Sequence, residues 1–337
     1  MGIGGKLVGQ EKPKKTGLGL VAYCSGFRRK LLQAEMPPRD LFEPTQFLEH
    51  CHQLGAGGLQ VGLGVMKEEA AKRLKQQVAE KEMFLEAIIS VPKNQADVER
   101  FQAEMQTAAQ AGALAVRTTI IPGRRYEFFD SLEKYREYAT RGSQMLELAA
   151  PVAEKHKLPL AVENHKDHRA AERVALFEHI DSEFVGACLD TGNSFALLED
   201  PQTTVEALLP WTFTVHLKDQ AVQEYADGFL LGDIPLGQGF LDLKKILNTV
   251  KRQKPTAKFC LELITRDPLK VPCLTDSYWS TFPDLPAADL SRTLRTVRTH
   301  SAAKLQEVST LTLEQQVALE ESNVRASLEY ASQQLGI

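Results

Sequence analysis

The sequence predicts an α/β protein built on a closed (β/α)8 TIM barrel with a C-terminal helical extension. Three observations lead there. Eight short, near-continuous apolar runs punctuate the chain, as strands buried on both faces do. A longer stretch with helical spacing follows each run, as parallel neighbours require for their crossovers. No G-x-G-x-x-G follows the first run, which weakens the competing open sheet in its dinucleotide-binding version.

The first run is 18–23 (LGLVAY), followed by a helical pattern over 44–54. The second is 59–63, followed by 67–80. The third is 83–91 (MFLEAIISV), followed by 95–111. The fourth is 113–120, followed by 131–156. The fifth is 158–165 (LPLAVENH), with a short helix over 170–180. The sixth is 185–190, followed by 201–209. The seventh is 213–218, followed by 241–251, and the eighth is 258–264. Two segments exceed what a barrel needs. Residues 220–239 form a long connection of the kind that is uncommon unless functional. The stretch 285–337 is longer than one crossover helix and is read as helices packed on the barrel or on a partner. Residues 1–17, rich in Gly and Lys, are expected to be a flexible lead, leaving 18–284 as the barrel domain.

Composition narrows the function. Of 337 residues, 43% are hydrophobic and 25% charged, enough apolar material for a core. The net charge of −4 argues against a nucleic-acid partner. No apolar run is long enough to span a membrane, and the N-terminus has no secretory apolar core. The five cysteines are odd in number and lack C-x-x-C spacing, which disfavours disulfides and a thiolate zinc site. These features suggest a cytoplasmic enzyme or binding protein acting on a small molecule.

In a barrel of this kind, chemistry sits at the C-terminal ends of the strands. The fifth run ends with Glu163, the sixth with Asp190, the seventh carries His216, and the eighth carries Glu262. A carboxylate at a buried strand end is costly unless paired or coordinated. Three carboxylates and one imidazole on four successive strands therefore point to convergence on one divalent cation. The donor set suits Mn²⁺, with Mg²⁺, Co²⁺ and Zn²⁺ as alternatives. Alternation along a strand puts His165 on the face of Glu163 and Lys218 on the face of His216. With Asn193, Arg117 and Arg266 they make a candidate substrate-binding set, the arginines fitting an anionic sugar. Arg124 and Arg125 follow the fourth run. Tyr278 and Trp279 either close the pocket or pack under its rim.

The segments AVENHKD, CLDTGNSFAL, TVHLKD and CLELI, across 158–264, resemble the motif series of the xylose isomerase-like superfamily of sugar phosphate isomerases and epimerases. The resemblance implies one divalent metal held by Glu163, Asp190, His216 and Glu262. It also implies that Glu163 and Glu262 work as an acid–base pair on a keto-sugar or sugar-acid derivative, through an enediolate. Many relatives carry His where this chain has Asn193, which argues against the multi-zinc endonuclease branch. The loop over 268–282, with ENHKD, resembles a subgroup of decarboxylases of 3-oxo sugar acids, of the 3-oxo-isoapionate type. A metal-dependent lyase is therefore the alternative, and a non-catalytic sugar-binding barrel a minor one. A homodimer or homotetramer is compatible with the extension serving as an arm.

Overall fold

The computed structural model describes residues 15–337. Eight parallel strands close a barrel: β1 (Gly19–Val21), β2 (Gly58–Val61), β3 (Phe84–Ile88), β4 (Val116–Thr118), β5 (Leu160–Glu163), β6 (Val185–Asp190), β7 (Thr212–Leu217) and β10 (Lys258–Leu261). Gly19 pairs with both Gly58 and Cys260, which shuts the ring. The Phe84 ring lies so close to Gly19 and Gly58 that a Cβ on either would run into it. Glycine at these two places lets one aromatic ring fill that part of the barrel.

The crossover helices fall where the periodicity put them. α1 (Gly26–Gln33) and the short α5 (Arg125–Phe128) were not anticipated; those that were are α2 (Pro44–Leu54), α3 (Glu68–Glu80), α4 (Val98–Gln110), α6 (Leu132–His156), α7 (Ala170–Ile180), α8 (Pro201–Leu208) and α9 (Leu243–Gln253). Local chemistry explains their ends. The Glu43 side chain accepts the Gln46 N–H ahead of α2, Pro44 opens that helix, and Gly55 closes it in the left-handed conformation. In α9, Leu243, Ile246, Leu247 and Val250 form one buried stripe.

Three expectations need correction. Residues 220–239 are not a structureless loop. They contain a hairpin, β8 (Asp219–Tyr225) and β9 (Gly228–Ile234), extended by β11 (Leu269–Val271) into a three-stranded antiparallel sheet. Ala226 and Asp227 turn the hairpin, and Gly228, paired with Tyr225, opens β9 at φ +150°. The lead expected over 1–17 meets the barrel at Thr16. The Thr16 N–H donates to Gly55 O at 3.0 Å, and its hydroxyl contacts the main chain of Ile337. Residues 1–14 lie outside the described part. Lastly, β5 ends at Glu163, so strand alternation does not extend to His165.

The segment after β10 continues through α10 (Asp276–Trp279), α11 (Ala287–His300) and α12 (Leu313–Tyr330). The terminal helices pack on their own chain. α11 lies on β8, and α12 lies on α1, where Glu320 accepts the Phe27 and Arg28 N–H groups at 2.8 and 2.9 Å. Besides the barrel core, a second apolar cluster gathers Tyr126, Phe195, Phe229, Tyr278, Phe282 and Val297. Its members come from connections after β4, β6, β7 and β10 and from α11, so it roofs the C-terminal end of the barrel. All five cysteines are free and buried. Among the described residues no helix is long and apolar enough to cross a membrane.

Candidate metal centre

Inside the barrel, polar side chains form two layers. The lower one joins β2, β3 and β7: Gln60 Nε2 donates to Glu86 Oε2 at 2.8 Å, and Thr214 Oγ1 donates to the same oxygen at 2.9 Å. The upper layer holds Glu163, Asp190, His216 and Glu262. Asp190 is the register partner of His216, and Glu262 comes immediately after Leu261, the last residue of β10. One donor atom from each of the four lies within 4.8 Å of every other. The four residues predicted from the strand ends thus converge.

Two buried donor atoms in this cluster make no well-formed hydrogen bond: His216 Nδ1, and Asp190 Oδ2, which has only the Lys218 ammonium beside it at 3.3 Å. Their partners on the other side explain where they aim. Glu86 takes the amide nitrogen of Gln60, which leaves Gln60 Oε1 facing His216 Nε2 at 2.8 Å. Burial would lower His216, but Cys188 and Glu262 raise it well above the usual histidine range; once the ring is neutral, as a cation would require, Nε2 carries the proton and the Nδ1 lone pair faces Glu262 Oε2 at 3.6 Å and Glu163 Oε2 at 3.8 Å. Asp190 Oδ1 accepts the Gly192 and Asn193 N–H groups at 2.9 and 2.7 Å, leaving Oδ2 for the chamber. Orphaned atoms of this kind, with three carboxylates and one imidazole, fit a divalent cation. The Cys188 thiol beside His216 is pushed up to about 11 by burial, so it offers no thiolate at neutral pH.

The charges around the cluster are unevenly shared. Arg117 Nε donates to Glu163 Oε2 at 2.7 Å, with Nη2 on the same oxygen, and Asn193 Nδ2 donates to Oε1 at 3.0 Å. Burial alone would raise Glu163, but Arg117 holds it below the usual glutamate range. Lys218 Nζ stands 3.0 Å from Glu262 Oε2 and 3.3 Å from Asp190 Oδ2. Burial raises Asp190 to about 7; Lys218 offsets part of that, while Glu262 and Glu163 add to it. Asp233, on the unanticipated hairpin, pairs with Arg266 at 3.1 Å and faces Lys218 at 3.9 Å.

Of the predicted substrate-binding set, Asn193, Lys218 and Arg117 touch the cluster directly. Arg266 reaches it only through Asp233. His165 Nδ1 instead lies 3.3 Å from Gly123 O, and burial lowers its ring to about 4, keeping it neutral. Tyr278 is packed under the rim: it stacks between Tyr126 and Phe282 and donates to Ala196 O. Trp279 Nε1 donates to Cys273 O. Arg124 pairs with Glu127, and Arg125 with Glu172 and Thr281 O. Sequence reasoning passed over Gln60, Glu86, Lys166 and Asp233. The first two were visible as lone polar residues inside apolar runs.

Comparison with known proteins agrees with this architecture. Residues 48–290 match the family described as xylose isomerase-like TIM barrel. A xylose isomerase-like TIM barrel protein from Mycobacterium smegmatis, solved with magnesium, aligns with TM-score 0.51 at 15% identity, covering 85% of this chain and 98% of its own. An L-ribulose 3-epimerase aligns with TM-score 0.54 at 14% identity, over 95% and 96%. The 3-keto-D-glucoside 4-epimerase YcjR from E. coli aligns with TM-score 0.54 at 12% identity, over 85% and 100%. At such identity these structures speak for the fold alone. A 3-oxo-isoapionate decarboxylase from Pectobacterium atrosepticum is 31% identical over 109 residues, 32% of this chain and 40% of that protein.

Proposed function

The chain belongs to the xylose isomerase-like TIM barrel family, and from that premise we propose that it is a divalent-metal-dependent isomerase or epimerase of a keto-sugar or sugar-acid derivative. The convergence of Glu163, Asp190, His216 and Glu262, with two buried donor atoms left over, carries the reading. These four would hold the ion, Mn²⁺ first among the candidates. A cation there polarises a carbonyl and acidifies the neighbouring C–H. Glu163, from β5, and Glu262, from just after β10, would remove and return a proton at that carbon. Lys218, Asn193, His165 and Arg266 would bind substrate hydroxyl or acid groups, and Arg117 would set the charge of Glu163.

A second reading has its own support. The 31% match to 3-oxo-isoapionate decarboxylase and the density of buried cations favour a lyase on a 3-oxo sugar acid. There the C–C bond to the carboxylate would break, CO₂ would leave, and a glutamic acid would protonate the carbon left behind. One experiment separates the two. Mn²⁺-loaded protein is screened against keto-sugars and 3-oxo sugar acids in D₂O, reading deuterium incorporation by NMR and CO₂ release together. Exchange without CO₂ supports the isomerase, CO₂ release the lyase. Silence in both from protein with bound metal would refute catalysis of this kind.

A further inference from the structure

Lys166, on the connection after β5, is the buried cation that the metal reading leaves without a task. Its side chain is 1% exposed. Its neighbours in charge all have carboxylate partners: Arg117 has Glu163, Arg266 has Asp233, and Lys218 has Asp190, Glu262 and Asp233. Among the described residues, Lys166 Nζ has no carboxylate at ion-pair distance. It donates only to Asn193 Oδ1, the oxygen that also accepts Lys218 Nζ at 3.2 Å. An ammonium carries three donors, so most of its hydrogen-bonding capacity is unused in a place where that is costly. Burial, reinforced by the like charge of Lys218, lowers Lys166 to about 8.

The fold nonetheless anchors the main chain that carries it. The Arg125 N–H donates to Lys166 O at 2.8 Å, and the next residue, Asp167, is clasped by Arg173 at 2.8 Å. Four carboxylates (Glu163, Asp190, Asp233, Glu262) and four cations (Arg117, Lys166, Lys218, Arg266) balance in the chamber. A divalent ion would leave the chamber with a positive excess, which an anion offsets.

We propose that Lys166, with Lys218 beside it, binds an anionic group of the substrate, a carboxylate or a phosphate, next to the metal cluster. The inference rests on reading the four ligands as a metal-centred sugar site. It adds that the natural substrate is charged. Two ammonium groups converging on one amide oxygen repel each other until an anion joins them, so the arrangement is strained when empty and relieved when filled.

The test is calorimetric titration, with and without Mn²⁺, using D-erythronate as carboxylate probe, glycerol 3-phosphate as phosphate probe and erythritol as neutral probe. The wild-type protein is expected to bind one anionic probe at least about tenfold more tightly than erythritol, and the tighter probe names the group. Lys166→Met is expected to lose that preference while keeping its metal content and its affinity for erythritol. Because the substitution removes a charge with no carboxylate partner, and Asn193 Oδ1 keeps Lys218, the empty variant should melt no lower than the wild type. Unchanged anion affinity in Lys166→Met overturns the proposal. A fall in melting temperature or a failure to fold does so too, since either marks the lysine as structural. Protein that takes up no metal refutes the metal reading instead, and the metal-free titrations still decide this one.

Discussion

Gln60 offers a sharp test of the metal centre because it touches His216 without being a ligand. Its side chain is fully buried and joins Glu86 to the ring by two hydrogen bonds of 2.8 Å each. Gln60→Leu keeps the volume and removes both bonds. Glu86 keeps the Thr214 hydroxyl at 2.9 Å, so its loss is partial. His216 Nε2–H loses its only acceptor, at a cost of ~1–3 kcal/mol for an unsatisfied buried donor. The ring also loses the contact that fixes its tautomer and aims Nδ1 at the carboxylates. Outer partners of this kind are worth about 10- to 100-fold in metal affinity, or ~1.4–2.8 kcal/mol. Calorimetric titration with Mn²⁺ measures the affinity, and urea unfolding of metal-free protein measures the stability. Wild-type Mn²⁺ affinity in Gln60→Leu would refute the claim that His216 presents Nδ1 to a cation.

Two further outcomes follow from the same geometry. Chelation should lower the melting temperature, since free metal at 1,000 times its dissociation constant adds ~4 kcal/mol to folding; a transition insensitive to both EDTA and Mn²⁺ would remove the resident ion. Glu199 is raised from 4.5 to about 7 by burial, with Arg169 and the Ala170 N–H offsetting only part. Its folded carboxyl holds a proton more tightly than its unfolded one, so its contribution to stability is full below pH 4.5 and lost as pH rises through about 7. Glu199→Gln should flatten the decline between about pH 5 and pH 8 by up to ~3 kcal/mol in urea unfolding; an unchanged slope would contradict it.

Much of this was legible in the chain, for reasons that also account for the gaps. α2 fell on its expected residues because cap chemistry and a 3.6-residue stripe coincide there. The four converging residues were legible because a charged residue at the end of an apolar strand is costly to bury unless a partner or a cation meets it. The hairpin after β7 was missed although Asp227-Gly228 is a turn signal. Its strands are half polar, and alternation there is broken by Gly232 and Asp233. Lys166 was missed because a lysine in a connecting segment ordinarily lies in solvent. It is met by the Asn193 side chain and the Arg125 N–H, both far from it in sequence. For His165, strand alternation was carried two residues past the end of β5, where it no longer fixes a side chain's direction.

The two glutamates read as an acid–base pair stand in unequal settings, and the inequality separates their tasks. Glu163 has both oxygens engaged, one by Arg117 and one by Asn193, and is wholly buried. Glu262 meets the ammonium of Lys218, whose stem is flexible and which has Asp190 and Asp233 in reach as well. Lys218 and His216 hold Glu262 well below the usual glutamate range despite its burial, so its turn in the acid–base pair needs Lys218 to swing away, which a flexible stem allows, whereas Glu163 stays pinned by Arg117. The same contacts set the cost of neutralising each. Glu163→Gln leaves the Arg117 guanidinium buried without its carboxylate, a loss of ~3–5 kcal/mol by the measure of broken buried pairs. Glu262→Gln leaves Lys218 two carboxylates and should cost well under half of that. Urea unfolding of the two metal-free variants decides the point. Equal losses, or a greater loss in Glu262→Gln, would show that Arg117 does not depend on Glu163, and the division of labour would fall with it.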